Sequence, residues 1–465
     1  MAINTPVHSE KSDSAGTHLV RGLGLWSATA IVIGDTIGTG VFLVSSDMAR
    51  AVGSAGLVMV AWILGGLIVL LGAFCYAELG AAFPKAGGPY VYLGRGLGPL
   101  WGFLFGWMSS FLDRPVAMAA LAAGFIRFMA FFFPALMTPL FSGHILHQEF
   151  TFTTAQPLAA LVVALVTGIN YFSVKMSGAI QLLVTSLKVG TIVIIALGGL
   201  LLGHKQIAAA APVVTPVGLG ATIAAVLTAL VPAMWAYNGF NDLGDLGEEI
   251  SQPERNIPRA ILLGLFTVGG LYLLANVAYF HVLPFAVIAS SQHVASDVVQ
   301  AFAGSRGAAW LTLAMALSAF GALHVVVLTG ARIPYAMARD GVFFQFTGRV
   351  HPSFSTPTGA LLFLGTVATL LALTGTFEEL YSLFVFAVWI FFALTGVALL
   401  RLRRVEPELS RPYRAWGYPW TPVIFTAVAI ALTVNLWMVR PVRSSLGLAV
   451  ILAGIPFFYR WRKQN

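Results

Sequence analysis

Residues Val32–Phe42 read VIGDTIGTGVF, inside an apolar run near the start of the chain. Three glycines, two threonines and an aspartate crowd a place where a lipid-crossing helix should be uniformly apolar. Gly34-x-x-x-Gly38 alone would be explained by close helix packing. Gly38-Thr39-Gly40 weakens a helix further than packing needs, so the stretch reads as a broken helix. Unwound backbone at membrane depth is tolerated only where it lines a cavity or binds something. The half-helix starting after Gly40 aims its positive N-terminal end at the break, which suits a carboxylate. The half-helix ending before Gly38 offers carbonyls, which suit an ammonium. One break therefore offers complementary surfaces to a zwitterion.

The bilayer is the solvent for most of the chain. Of 465 residues 58% are hydrophobic and 9% charged, with mean hydropathy +0.86, against roughly 25% charged in soluble domains. Spans of about 20 apolar residues are expected at 24–46, 56–80, 99–128, 157–173, 178–203, 218–247, 260–284, 307–337, 357–375, 379–401, 419–439 and 444–459. Eighteen Lys and Arg fall on the side of the N-terminus and six on the other. The six are Arg50, Arg127, Lys205, Arg306, Arg440 and Arg443. The excess predicts cytoplasmic termini in a multi-pass protein of the cell (inner) membrane, and it accounts for the net charge of +8 without nucleic acid. Residues 1–20 are polar and carry no signal-peptide core; a disordered cytoplasmic tail is expected. Residues 21–402 would form the transport core, and 403–465 the last two helices and a short tail. The loop at 129–156, with Pro134 and Pro139, should be irregular and external. The loop at 85–98 could form a small helix along the inner face.

A second break is expected in the sixth span, VPAMWAYNGFNDLGDLGEEI at 231–250. Pro232 removes a backbone donor and Asn238-Gly239 is a turn dipeptide. Paired interrupted helices in corresponding places are the mark of inverted repeats. Spans one to five and six to ten are the candidate repeats.

Seven motifs in order then carry a family resemblance: IGTGVF at 37–42, CYAEL at 75–79, PKAGGPY at 84–90, WAYNGFN at 235–241, GEEISQPERNIPRA at 247–260, ARDG at 338–341 and RPYRAWGYP at 411–419. Together they resemble the amino acid–polyamine–organocation (APC) superfamily of permeases, within it the L-type and bacterial sodium-independent amino acid transporters. The likeness implies an all-α membrane protein of twelve helices with a five-plus-five inverted repeat, like that of sodium-coupled leucine transporters, broken in helices 1 and 6. It implies that the substrate carboxylate meets the amides of Gly38, Thr39 and Gly40. The ammonium would meet carbonyls of Thr36 or Ile37 and of Trp235, Ala236 or Asn238. Trp235 stands where the family has an aromatic gate. Asn238 replaces the family's usual glycine, which favours small substrates.

Charges inside the spans need partners or a function. Lys188 lies about ten residues from either end of span five, roughly 15 Å at ~1.5 Å per residue, so snorkelling is hard. It resembles the lysine of sodium-independent members, whose ammonium takes the place of a sodium ion, and it could exchange protons. Asp35 departs from the family. It could pair with Lys188, the nearest candidate, or with Arg114; it could also meet a cationic substrate or join proton coupling. Asp113 and Arg114, neighbours in span three, should each find another partner. His324 is a candidate cavity residue, with a hydrogen-bonded packing role as the plainer alternative. Glu78, Glu248, Glu249 and Arg255 are candidates for an inner gate.

The expected function is a sodium-independent secondary transporter of small zwitterionic amino acids, coupled to protons or working by exchange. A polyamine or cationic amino acid carrier and a non-transporting amino acid sensor are the alternatives. No catalytic motif, metal set, cofactor loop or Walker-type loop occurs, so neither an enzyme nor a nucleotide-driven pump is expected. Expected partners are the amino acid, lipid and protons. The family's eukaryotic members join a second subunit through an external cysteine. The single cysteine, Cys75, falls inside a span, so no disulfide-linked subunit is expected.

Overall fold

A computed structural model describes residues 22–85, 87–145, 148–172, 178–204, 216–351 and 356–462. The expected N-terminal tail and Lys11, Arg21, Lys175, Lys205 and Lys463 of the charge count lie outside the described residues. In chain order the helices are α1 (Leu25–Thr36), α2 (Gly40–Leu43), α3 (Ser45–Val52), α4 (Ala55–Ala82), α5 (Pro89–Gly96), α6 (Pro99–Met108), α7 (Arg114–Met129), α8 (Ala155–Phe172), α9 (Gly178–Leu202), α10 (Leu219–Ala236), α11 (Pro253–Val282), α12 (Phe285–Ser290), α13 (Val294–Gly330), α14 (Arg332–Arg339), α15 (Thr358–Ala372), α16 (Phe377–Val405), α17 (Trp420–Val439) and α18 (Pro441–Arg462).

Among the described residues ten helical segments are long and apolar enough to cross a membrane, the first running from Leu25 to Leu43 across the break. The other two expected spans take different forms. The third is made of α6, a π-helical turn at Ser109–Asp113, and α7. Pro115 has no N–H to give the preceding turn, and such turns are a common way to re-aim side chains. The ninth, α15, has 15 residues, about 22 Å at ~1.5 Å per residue.

The helices bury one stripe and turn another outward. On α8, Ala159, Val163, Val166 and Asn170 are buried while Leu161, Leu165, Ile169 and Phe172 are exposed, as lipid would require. Where helices begin, side chains satisfy open amides: Leu57 N donates to Ser54 Oγ at 3.2 Å before α4, and Thr376 with Glu379 forms a capping box before α16. In the core α4 packs on α11, α7 on α13 and α8 on α15, while α1 lies against α9 and α11.

Two loops can be set against their expectation. The segment at 85–98 does contain a short helix, α5. The one at 129–156 is more regular than expected: a short 3-10 turn at Pro134–Met137 leads into an antiparallel hairpin, β1 (Pro139–Ile145) and β2 (Gln148–Thr153).

Candidate functional site

The first break is where the glycines put it. α1 ends at Thr36, Ile37 leaves helical geometry at ψ 85°, and α2 starts at Gly40. Among the described residues the amides of Thr39 and Gly40 donate to no backbone carbonyl. These are the unsatisfied donors of a helix N-terminus.

The second break faces it. α10 stops at Ala236, followed by turns, and a 3-10 segment runs from Asp242 to Asp245. Gly239 sits at φ +113°, and a Cβ there would lie 2.9 Å from Thr36 N. A Cβ on Gly40 would lie 2.5 Å from Ala236 Cα. Both glycines are required by backbone packed against backbone.

Between the breaks lies a cavity of about 40 Å³, lined by Asp35, Thr36, Gly38, Thr39, Gly40, Trp235, Asn238 and Gly239, with Asp113, Arg114 and Asp242 on one side. Trp235 closes it: its Nε1 donates to Thr39 Oγ1 at 3.4 Å, and its ring packs edge-on against Phe384 at 5.1 Å. Six of the eight expected binding residues therefore line the cavity. Ile37 and Ala236 do not; both are buried beside it. Their carbonyls already accept bonds, Ile37 O from Lys188 and Ala236 O from Tyr272 Oη at 3.0 Å. Thr36 O accepts from the same hydroxyl at 2.9 Å. Tyr272 thus ties the two broken helices together, a role with no signal in the sequence beyond a tyrosine in an apolar span.

Lys188 is 1% exposed. Its Nζ donates to Gly34 O at 2.6 Å and Ile37 O at 2.9 Å, the carbonyls that the end of α1 leaves open. Among the described residues no ion pair joins it to Asp35. Asp35 instead meets the carboxyl of Asp242, with Arg114 close by. Arg114 is the hub of this group. It holds Asp242 through both terminal nitrogens, Asp245 at 2.9 Å and Asp113 at 3.4 Å. The sequence expectation that Asp113 and Arg114 have separate partners is thus half right: each has another, Ser109 Oγ for Asp113 at 2.9 Å, yet the π-helical turn also lets them touch. Asp242 and Asp245, in the quoted second stretch, were readable as intramembrane charges needing a cation; their pairing with a residue 128 positions earlier was not.

His324 does not line the cavity between the breaks. Its Nδ1 lies 2.9 Å from Asn170 Nδ2 on α8, which is the packing role. Of the expected inner gate, Glu78 is fully buried. It takes bonds from Arg403 Nε at 2.8 Å and Ala415 N at 2.7 Å, with Arg411 at 3.4 Å. Glu249 pairs with Arg332 at 2.8 Å. Glu248 and Arg255 are exposed and show no ion pair among the described residues.

The chain matches the family model for amino acid permeases over residues 23–458. It is 30% identical over 454 residues to the serine/threonine exchanger SteT of Bacillus subtilis (strain 168), covering 96% of this chain and 98% of that one. It is 29% identical to the b(0,+)-type amino acid transporter 1 of Homo sapiens, covering 95% and 88%. It is also 29% identical to the Asc-type amino acid transporter 1 of Mus musculus, covering 96% and 82%.

Proposed function

The chain belongs to the amino acid permease family, a family of transporters and not of enzymes, and from that premise we propose that it moves small zwitterionic amino acids by alternating access, without sodium, coupled to protons or to exchange. One observation carries the reading. The open amides of Thr39 and Gly40 stand at a small cavity that also holds the acceptor side chains of Asp35 and Asn238. Donors and acceptors in one cavity match a carboxylate and an ammonium. The cavity's size and the Asn238 side chain favour short substrates. The curated relatives, by name an exchanger of serine and threonine and carriers of amino acids, agree with the substrate class.

Lys188 supports sodium independence, because its ammonium already occupies Gly34 O and Ile37 O. Four carboxylates, Asp35, Asp113, Asp242 and Asp245, surround two cations, Arg114 and Lys188. Charge in the membrane must be paired or neutralised, so this excess supports protons as a coupling partner. It also favours the second reading, a carrier of cationic amines. The packing of α4 on α11, α7 on α13 and α8 on α15 joins each helix to the one five spans later, which supports twelve spans and a five-plus-five repeat. The excess of Lys and Arg on one side supports cytoplasmic termini in the cell membrane. Cys75, buried in α4, offers no external thiol for a disulfide-linked subunit.

The test is uptake of labelled amino acids into liposomes holding the purified protein, with and without sodium, a pH gradient and internal substrate. Alanine and serine should enter and compete with each other, and decarboxylated amines should compete poorly. Putrescine competing as well as alanine would decide for the amine carrier.

A further inference from the structure

A second cavity, of about 320 Å³, lies across the aromatic partition from the first, lined by Arg50 and Arg440, with Arg127 paired to its Glu378. The partition is built from two helices. Trp235 and Phe384 line the inner cavity; Pro232 and Tyr381, three residues before each on α10 and α16, line the second. The Trp235 and Tyr381 rings lie 6.2 Å apart. The volume falls within the roughly 300–1,000 Å³ of small-molecule pockets.

One wall carries unpaired donors and the other carries two carboxylates, each paired with an arginine. On the α17 side stand two donors with nothing to donate to. Asn435 Nδ2 is shielded from solvent and has no partner, and the Arg440 guanidinium makes no hydrogen bond or ion pair among the described residues. On the other side stand two carboxylates. Asp47 accepts from Tyr381 Oη at 2.9 Å and pairs with Arg50; Glu378 pairs with Arg127. An ionised carboxylate has about four acceptor sites, so each keeps room for an ammonium.

We propose that this cavity is a second docking site for a zwitterionic amino acid, with its carboxylate on Arg440 and Asn435 and its ammonium against Asp47 and Glu378. The site rests on the reading that the carried substrate is a zwitterion. It holds the molecule one aromatic layer away from the broken helices.

Binding stoichiometry of labelled L-alanine to the full chain in lipid nanodiscs tests this. The wild type should bind two per chain at saturation. Gly38→Leu, which fills the inner cavity against a movable Leu121 side chain, should bind one. Arg440→Gln and Asn435→Leu should each bind one, with the inner equivalent retained. A single equivalent in the wild type that Gly38→Leu removes and Arg440→Gln keeps overturns the proposal. So does retention of both equivalents in Arg440→Gln and Asn435→Leu. If the broken-helix reading alone is wrong, the wild type binds one equivalent, which Gly38→Leu keeps and Arg440→Gln loses.

Discussion

At the scale of the residue, Asp35 and Lys188 are the informative pair, because they were expected to hold each other and do not. Lys188 satisfies two carbonyls of α1, and Asp35 turns toward Asp242 and Arg114. A double-mutant cycle of Asp35→Asn with Lys188→Met should show a smaller coupling than one with Asp242→Asn, because Asp35 acts on Lys188 through space without a direct ion pair. The cycle of Asp35→Asn with Asp242→Asn should show coupling above ~0.5 kcal/mol in the same thermal melts. Lys188→Met alone should abolish uptake, since it strands Gly34 O and Ile37 O at the break, at about 1–3 kcal/mol for each unsatisfied group. Arg114→Met is the harsher change. It leaves Asp113, Asp242 and Asp245 without their cation, a loss of about 3–5 kcal/mol by analogy with broken buried pairs. It should cut the yield of folded protein, judged by size-exclusion chromatography. Full yield would show that the carboxylates have another source of compensation.

At the scale of the element, the break in the first helix is enforced by its partner. α2 approaches α10 so closely that a single methyl group on Gly40 would strike the Ala236 backbone. Gly40→Ala should therefore abolish alanine uptake and lower stability by about 1–3 kcal/mol, as overpacked sites do. Gly34→Ala, which leaves the unwound residues intact, should keep measurable uptake. Equal uptake by both variants would mean that the close approach is not needed. The break itself was legible, because Gly38-Thr39-Gly40 contradicts any continuous helix. So was the turn at Asn238-Gly239. The π-helical turn in span three was not read: Pro115 signals an interruption but not which side chains it re-aims. The hairpin at 139–153 was missed for a related reason, since two prolines mark irregular backbone and give no hint of which strands pair.

For the molecule as a whole, the inner ion pairs and the cation question make the predictions. Glu78 is buried among Arg403, Arg411 and Ala415 N, and so joins α4 to α16 and to the segment after it. Alternating access requires contacts of this kind to change between states. Glu78→Gln should weaken them and alter the ratio of exchange to net uptake in liposomes; an unchanged ratio would make the cluster purely structural. Replacing sodium with choline at constant pH should leave uptake within about twofold. A sodium ion would have to share the carbonyls of Gly34 and Ile37 with an ammonium a few ångströms away, a repulsion of several kcal/mol at an effective dielectric of about 20.

What the sequence determined by itself was the solvent and the broken helices. Hydropathy, the glycine-rich interruption and the ends of half-helices are local properties, written in consecutive residues. What only the tertiary structure decided was which charge answers which. A buried charge must find a partner somewhere, but the chain does not say where. Arg114 meets Asp242 across 128 positions, and Lys188 meets Ile37 O across 151. Those distances in sequence are closed by helix packing alone.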